Sequence, residues 1–272
     1  MAEAPAAERS TAARRATAAG PLTGRVALVT GGGRGIGAAI TAELARSGAA
    51  VAFTYRRDRA AAEELAEELG AGGAAVLAVE ASVDDPAASA RAVEAAVAEF
   101  GGLDLLVSNA GVASTGLPVA ATTAEELQWL LAVHAVGPHQ LVRAALPHLR
   151  AHERSDVVVV SSIAVGDAWP VNGAPYAMAK AAAEAMAHVL AREERAHGVR
   201  VNIVAPGLVD TEMGRRLVRA TQDVTDIRLL DPGSPFGRVC SPQDVAAVVR
   251  ALVDPACSYL TDQRVVVDGG TF

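Results

Sequence analysis

From residue 26 to residue 268 the chain alternates between short blocks of consecutive apolar residues and longer, periodically apolar stretches. The short blocks predict buried strands at 26–29, 49–55, 74–79, 103–108, 156–161, 200–204 and 264–268. The longer stretches predict helices at 37–47, 59–69, 86–100, 124–150, 175–196 and 243–253. The helix over 124–150 is expected to be interrupted near Pro138, because proline brings no N–H to the helical ladder. Strands that are apolar at nearly every position are covered on both faces. Alternating with helices, they predict a parallel sheet in one doubly wound α/β domain, without internal boundary or repeat. Residues 212–236 lack a clear period and are expected to form an irregular stretch, a kind of segment often used as a lid or binding loop.

Residues 1–21, rich in Ala, Arg and Glu with no apolar core, predict a disordered or fraying arm ahead of a folded unit over 22–272. An Arg-rich transit peptide is the competing reading, which Glu3 and Glu8 weaken. The apolar fraction of 51% with only 3% aromatic residues implies helices packed closely through small side chains. A formal charge of −7 argues against nucleic acid and against an anionic membrane surface as partners. Cys240 and Cys257 have neither metal-ligand spacing nor the look of a disulfide framework, so no metal site is expected. No apolar run approaches the roughly 18 residues of a membrane span. A soluble, cytoplasmic protein is the expectation.

Two short stretches carry chemistry. After Val29 comes Thr30-Gly31-Gly32-Gly33-Arg34-Gly35-Ile36-Gly37, a glycine-rich turn opening a helix. Such a turn directs backbone N–H groups outward at the positive end of a helix dipole, and a Cβ there would hold a phosphate away. Farther on stands Tyr176-Ala177-Met178-Ala179-Lys180, whose phenol and ammonium share one helix face at i and i+4. A neighbouring cation favours phenolate and should lower the Tyr176 pKa towards neutrality, where the hydroxyl can exchange a proton with substrate. Lys180 is the only lysine in a chain that otherwise uses Arg, which suggests a place where a compact ammonium is needed.

The spacing Thr30-Gly31-x-x-x-Gly35-Ile36-Gly37, with Ser108-Asn109-Ala110-Gly111, the Tyr176–Lys180 pair and Asn202-Ile203-Val204-Ala205-Pro206-Gly207, resembles the short-chain dehydrogenase/reductase family. The likeness covers about residues 22–270 and leans towards its 3-oxoacyl acyl-carrier-protein reductases. It implies a Rossmann-type fold and a nicotinamide cofactor held by Gly31, Gly33, Arg34, Gly35, Ile36 and Gly37. Further contacts are implied for Ser82, Val83, Asn109, Ala110, Gly111, Tyr176, Lys180, Pro206, Gly207, Val209 and Thr211. Ser82 stands where the family commonly has Asp, and could give the adenine only a weaker, uncharged hydrogen bond. At the end of the second strand, Thr54-Tyr55-Arg56-Arg57 lacks the acid that would bond a ribose 2′-hydroxyl. Arg34 and Arg56 would instead suit the 2′-phosphate of NADP.

The same resemblance makes Ser162 the residue that polarises the substrate oxygen beside Tyr176, with Ser161 on the opposite face of the strand. Ser162 and Tyr176 are 14 positions apart, one more than the family's usual interval, implying an inserted residue in 166–173. His134 occupies the position of a family Asn that holds a water linking the lysine to solvent. Pro138 cannot donate to the carbonyl of residue 134, so that carbonyl is expected to be free to hold the water. Asp262 stands where the family often has Gly. Arg215, Arg216 and Arg219 either meet an anionic substrate or carrier or form a solvated face. The expected activity is NADPH-dependent reduction of a small-molecule ketone, a 3-oxoacyl thioester or related and possibly carrier-bound, by a homotetramer or homodimer. NAD-dependent oxidation of an alcohol, sugar or steroid, and dinucleotide binding without catalysis, are the alternatives.

Overall fold

The computed structural model describes residues 20–166 and 168–272; the arm expected over 1–21 falls almost wholly outside them. The chain runs β1 (Val26–Val29), α1 (Gly35–Arg46), β2 (Ala50–Tyr55), α2 (Arg59–Ala71), β3 (Val76–Glu80), α3 (Pro86–Phe100) and β4 (Leu105–Ser108). It continues through α4 (Ala124–Leu131), α5 (Gly137–Leu149), β5 (Ser155–Val160), α6 (Ala174–Glu194), β6 (Val199–Pro206), α7 (Glu212–Gln222), α8 (Pro242–Val253) and β7 (Arg264–Val267). The seven strands form one sheet in the order β3-β2-β1-β4-β5-β6-β7, every neighbouring pair parallel. Chain order reverses between β1 and β4, so the crevice at the carboxyl ends of those strands is where this topology leaves room for a ligand.

Alternate residues of each strand feed two cores. Ala27, Val29, Phe53, Leu105 and Val107 pack with Ile40, Leu44 and Val249 on one face. Leu28, Leu106, Val157 and Val159 pack with Leu141, Leu149 and Leu190 on the other. This two-sided burial is what the uninterrupted apolar strands required.

At the amino ends of the strands a buried ionic network joins β1, β4, β5 and β6. Asp156, 1% exposed, binds Arg25 at 2.9 Å and Arg200, while Arg154 lies at 3.7 Å. Arg25 also pairs with Asp104, whose other oxygen accepts the Val26 amide at 3.0 Å.

One expectation is refined and one needs correction. The helical path over 124–149 is interrupted next to Pro138, as expected, but without a break. It widens into a π-turn over Ala132–Val136, closed by the Gly137 amide on the Ala132 carbonyl, and Pro138 then enters α5 in its first turn, where no amide is needed. Residues 212–236 are not irregular. They form α7, capped by Thr211, followed by 3₁₀ turns over Ile227–Gly233 and Pro235–Gly237. Arg215 pairs with Asp210 at 2.8 Å and Arg216 with Glu212 one turn back.

Candidate active site

The glycine turn leaves β1 and is bound to both neighbouring strands. The Gly31 amide donates to Thr54 Oγ1 at 3.1 Å, and the Gly32 amide to the Thr54 carbonyl at 2.9 Å. Asn109 Nδ2 donates to the Thr30 and Gly31 carbonyls at 2.9 and 3.3 Å, and Thr30 Oγ1 accepts the Asn109 and Ala110 amides. Gly31 and Gly35 have φ of 63° and 55°, and a Cβ on Gly37 would run into the Gly31 carbonyl. Helix α1 begins at Arg34 with no side-chain cap, so its leading N–H groups stay available to an anion. A dinucleotide diphosphate fits this cradle, while Ile36 anchors the turn against the core.

The other expected cofactor contacts gather on the same rim. Ser82 turns its hydroxyl to Asp84, and Gly137 of α5 packs so closely on the Val83 carbonyl that no Cβ fits. Beyond Pro206, Gly207 lies against Asp268, Val209 is buried beside Cys240, and Thr211 accepts the Gly214 amide at 3.0 Å. Thr211 also borders Gly35. Arg34 reaches across to Glu212 at 3.3 Å, joining the glycine turn to α7. Arg56 and Arg57 project from the end of β2 into solvent, without an ion pair among the described residues.

Four side chains converge beside this rim. Tyr176 and Lys180 lie on one face of α6, the ammonium 5.8 Å from the phenol ring centroid and donating to the Val160 carbonyl at 2.8 Å. Ser162, just past β5, accepts the Ala164 amide on its Oγ at 3.1 Å, leaving its proton free to donate. His134, 3% exposed in the π-turn, meets the Tyr176 ring edge-on at 5.3 Å and 82°. Its Nε2 is 2.8 Å from the Val112 carbonyl, the shorter of two contacts with that residue, which puts the proton on Nε2. Nδ1 is then an acceptor, buried with no partner among the described residues. The imidazole fits because residue 111 is glycine: a Cβ there would lie 2.7 Å from His134 Cε1.

Electrostatics correct one expectation. Burial holds the Tyr176 pKa above the ordinary phenol value and outweighs the opposing Ser162 hydrogen bond, so Lys180 does not bring it towards neutrality. The reason is geometric: Lys180 gives its hydrogen bond to the Val160 carbonyl and faces the phenol ring. Burial pushes Lys180 down to about 8, with Glu184 opposing that shift. His134 falls to about 3, chiefly through burial and then through Lys180, and is neutral at physiological pH.

At the start of α6 lies a cavity of about 360 Å³ lined by Pro118, Val119, Trp169, Pro170, Asn172, Ala174 and Ala177. None of these side chains is ionisable. Trp169 and Pro170 belong to the segment where the sequence implied an inserted residue. Among the described residues no group of His, Cys, Asp or Glu could hold a metal ion, and no helix is long and apolar enough to cross a membrane.

Sequence reasoning missed Thr30 and Thr54, whose hydroxyls fix the turn, and Val112, which orients His134. It also missed Glu184 and Arg264, which meet at 2.9 Å behind Ser162. One signal was readable: Glu184 continues the helix face of Tyr176 and Lys180 by another turn.

Residues 31–271 match the family model described as enoyl-(acyl carrier protein) reductase. A versicolorin reductase of Emericella nidulans is 35% identical over 258 residues, covering 92% of this chain and 97% of its own. A hydroxynaphthalene reductase of Aspergillus fumigatus is 34% identical over 251 residues, covering 89% and 90%. The crystal structure of a short chain dehydrogenase from Burkholderia cenocepacia in complex with NADP superposes with a TM-score of 0.83. It is 33% identical, covering 92% of this chain and 98% of that one.

Proposed function

Because the chain belongs to the short-chain dehydrogenase/reductase family, we propose that it is an NADPH-dependent reductase of a neutral ketone with a largely apolar body. The observation that carries this reading is the convergence of Ser162, Tyr176 and Lys180 beside the uncapped start of α1. The glycine turn, Asn109–Gly111 and Pro206–Thr211 would hold the dinucleotide, with Arg34 and Arg56 on its 2′-phosphate. When bound, NADPH supplies a hydride to the substrate carbonyl carbon.

The residues of this chain do the rest. Ser162 donates a hydrogen bond to the carbonyl oxygen, and Tyr176 delivers its proton to that oxygen as negative charge develops. Burial favours the protonated phenol, the form that gives up a proton in reduction. Lys180, held by the Val160 carbonyl, would bind the nicotinamide ribose with its ammonium. His134 pins Val112 and braces the Tyr176 ring from its edge.

The cavity at the start of α6 supports the substrate class. Apart from the Asn172 amide its walls are aliphatic and aromatic, they carry no charge to pair with a charged substrate, and Trp169 can stack on a flat ring. The relatives named for versicolorin and hydroxynaphthalene reduction agree with a fused-ring ketone. A 3-oxoacyl thioester is the second reading; the description of the matching family model names a carrier-bound acyl substrate, although one reduced at a carbon–carbon double bond.

Initial rates of NADPH and NADH oxidation with a tetralone and with an acetoacetyl thioester test both readings. Preferred turnover of the tetralone with NADPH is expected; turnover with NADH alone, or of no ketone despite NADPH binding, would overturn the proposal. Arg56→Glu is expected to weaken NADPH binding by about tenfold and leave NADH nearly unchanged, read by nucleotide fluorescence titration.

The pH profile offers a separate check. Lys180, with its pKa lowered to about 8, is charged at neutral pH and loses its charge as pH rises through that value. Reduction should therefore hold its rate below about pH 7 and fall above about pH 8, while the Tyr176 phenol is still protonated. Initial rates from about pH 6 to pH 10 give the profile, and a rate still level at the alkaline end would contradict this role of Lys180.

A further inference from the structure

Behind the site lies a charged pair that the proposed chemistry does not use directly. Glu184, one turn beyond Lys180 on α6, is 5% exposed. Its two oxygens accept Arg264 Nε at 3.1 and 2.9 Å, and Oε1 also accepts the Ser161 hydroxyl at 2.5 Å. Arg264 opens β7, and its Nη2 donates to the Ser162 carbonyl at 3.1 Å and to the Val165 carbonyl at 2.6 Å. One guanidinium therefore joins α6 to both ends of the turn that carries Ser162. The turn is further held by the Ile163 amide on the Pro206 carbonyl and the Val165 amide on the Ser162 carbonyl.

A buried ion pair is a poor way to gain stability, since desolvation offsets much of the Coulomb attraction and an apolar pair of similar volume often does as well. What an apolar pair cannot do is donate to two carbonyls while holding a carboxylate one helical turn from a lysine. The planar fork of arginine can serve all three acceptors in a fixed geometry, and an ammonium cannot.

We propose that Glu184 and Arg264 are positioning residues for carbonyl reduction: Arg264 fixes the Ser162 turn, and Glu184 ties that turn to Lys180. The proposal rests on the reading of Ser162, Tyr176 and Lys180 as the catalytic group. The charged and titratable groups near Glu184 include Lys180 and His188 on its own helix, the latter paired with Asp262, and Arg264 on β7; Tyr176 and His134 face Lys180. The carboxylate supports the charged form of Lys180 against burial.

The test compares wild type with Arg264→Met, Arg264→Lys and the paired variant Glu184→Met/Arg264→Met, which removes the ion pair as a unit. Amide hydrogen exchange over 162–166 reads the turn itself, and steady-state kinetics with NADPH and the best ketone read the consequence. The paired variant should fold and bind NADPH as wild type does, with faster exchange over 162–166. Its kcat should fall by about a hundredfold at little-changed KM, as expected when a reacting group loses its placement. The alkaline limb of its pH profile should move to lower pH. Arg264→Lys, which keeps the charge and loses the fork, should lie between wild type and Arg264→Met.

Unchanged exchange over 162–166, or a kcat and pH profile equal to wild type in a folded paired variant, would overturn the proposal. Tyr176→Phe, run in parallel, separates the two levels. If it remains fully active, the catalytic assignment fails, while the exchange data still report on the Arg264 clamp.

Discussion

Tyr176→Phe is expected to lower kcat for carbonyl reduction by about a thousandfold, within the range typical for loss of a general acid. The substitution deletes one hydroxyl and keeps the ring, so the edge-on contact with His134 and the packing of α6 stay in place. NADPH affinity and the thermal midpoint should remain close to wild type, which assigns the loss to proton delivery. The residual rate should come from Ser162, which still donates to the carbonyl oxygen, and from orientation of the bound pair. Single-turnover measurements with NADPH and a saturating ketone check this. Retention of more than about a tenth of the wild-type rate would mean that the proton comes from another group.

The largest loss of stability is expected far from that chemistry, at Asp156. Asn in its place removes the one carboxylate that faces Arg25, Arg154 and Arg200 together, leaving three guanidiniums around a neutral amide in a buried position. Removing one partner of a buried ionic cluster typically costs about 3–5 kcal/mol. In a domain of this size that corresponds to a fall of roughly 10 °C in thermal midpoint. Calorimetry on Asp156→Asn measures it directly, and a loss below about 1 kcal/mol would show that the guanidiniums find solvent or backbone partners instead. At temperatures where the variant stays folded, kcat should be unaffected, because the network lies at the amino ends of strands whose carboxyl ends carry the site.

Much of this molecule was written locally. Fully apolar strands and the helices between them announced a doubly wound sheet, because each feature depends on a short run of neighbours. The glycine turn and the Tyr176–Lys180 pair were legible for the same reason: i to i+4 spacing on a helix fixes who meets whom. What escaped depends on more distant partners or on burial. Pro138 reads as an interruption, yet the π-turn upstream closes on Ala132 and lets the proline sit where its missing amide costs nothing. The stretch after Thr211 looked irregular because only Gly214 and Val218 of α7 are buried, too few to leave a clear apolar stripe. The Tyr176 pKa was expected to fall because the sequence shows the lysine and not the depth of the phenol. Glu184 and Arg264, 80 positions apart, could not be paired from spacing at all.

The sheet therefore keeps its two kinds of polar group at opposite rims. The glycine turn, its hydroxyls and Tyr176 stand towards the carboxyl ends of the strands, and the Asp104–Asp156 network ties together the amino ends. Residues that share no partners change the free energy independently. If Trp169 and its neighbours meet the substrate as proposed, a lineage built on this plan can exchange them without drawing on the ionic network that keeps the strands together. On that reading, substrate preference can drift while the scaffold stays constant.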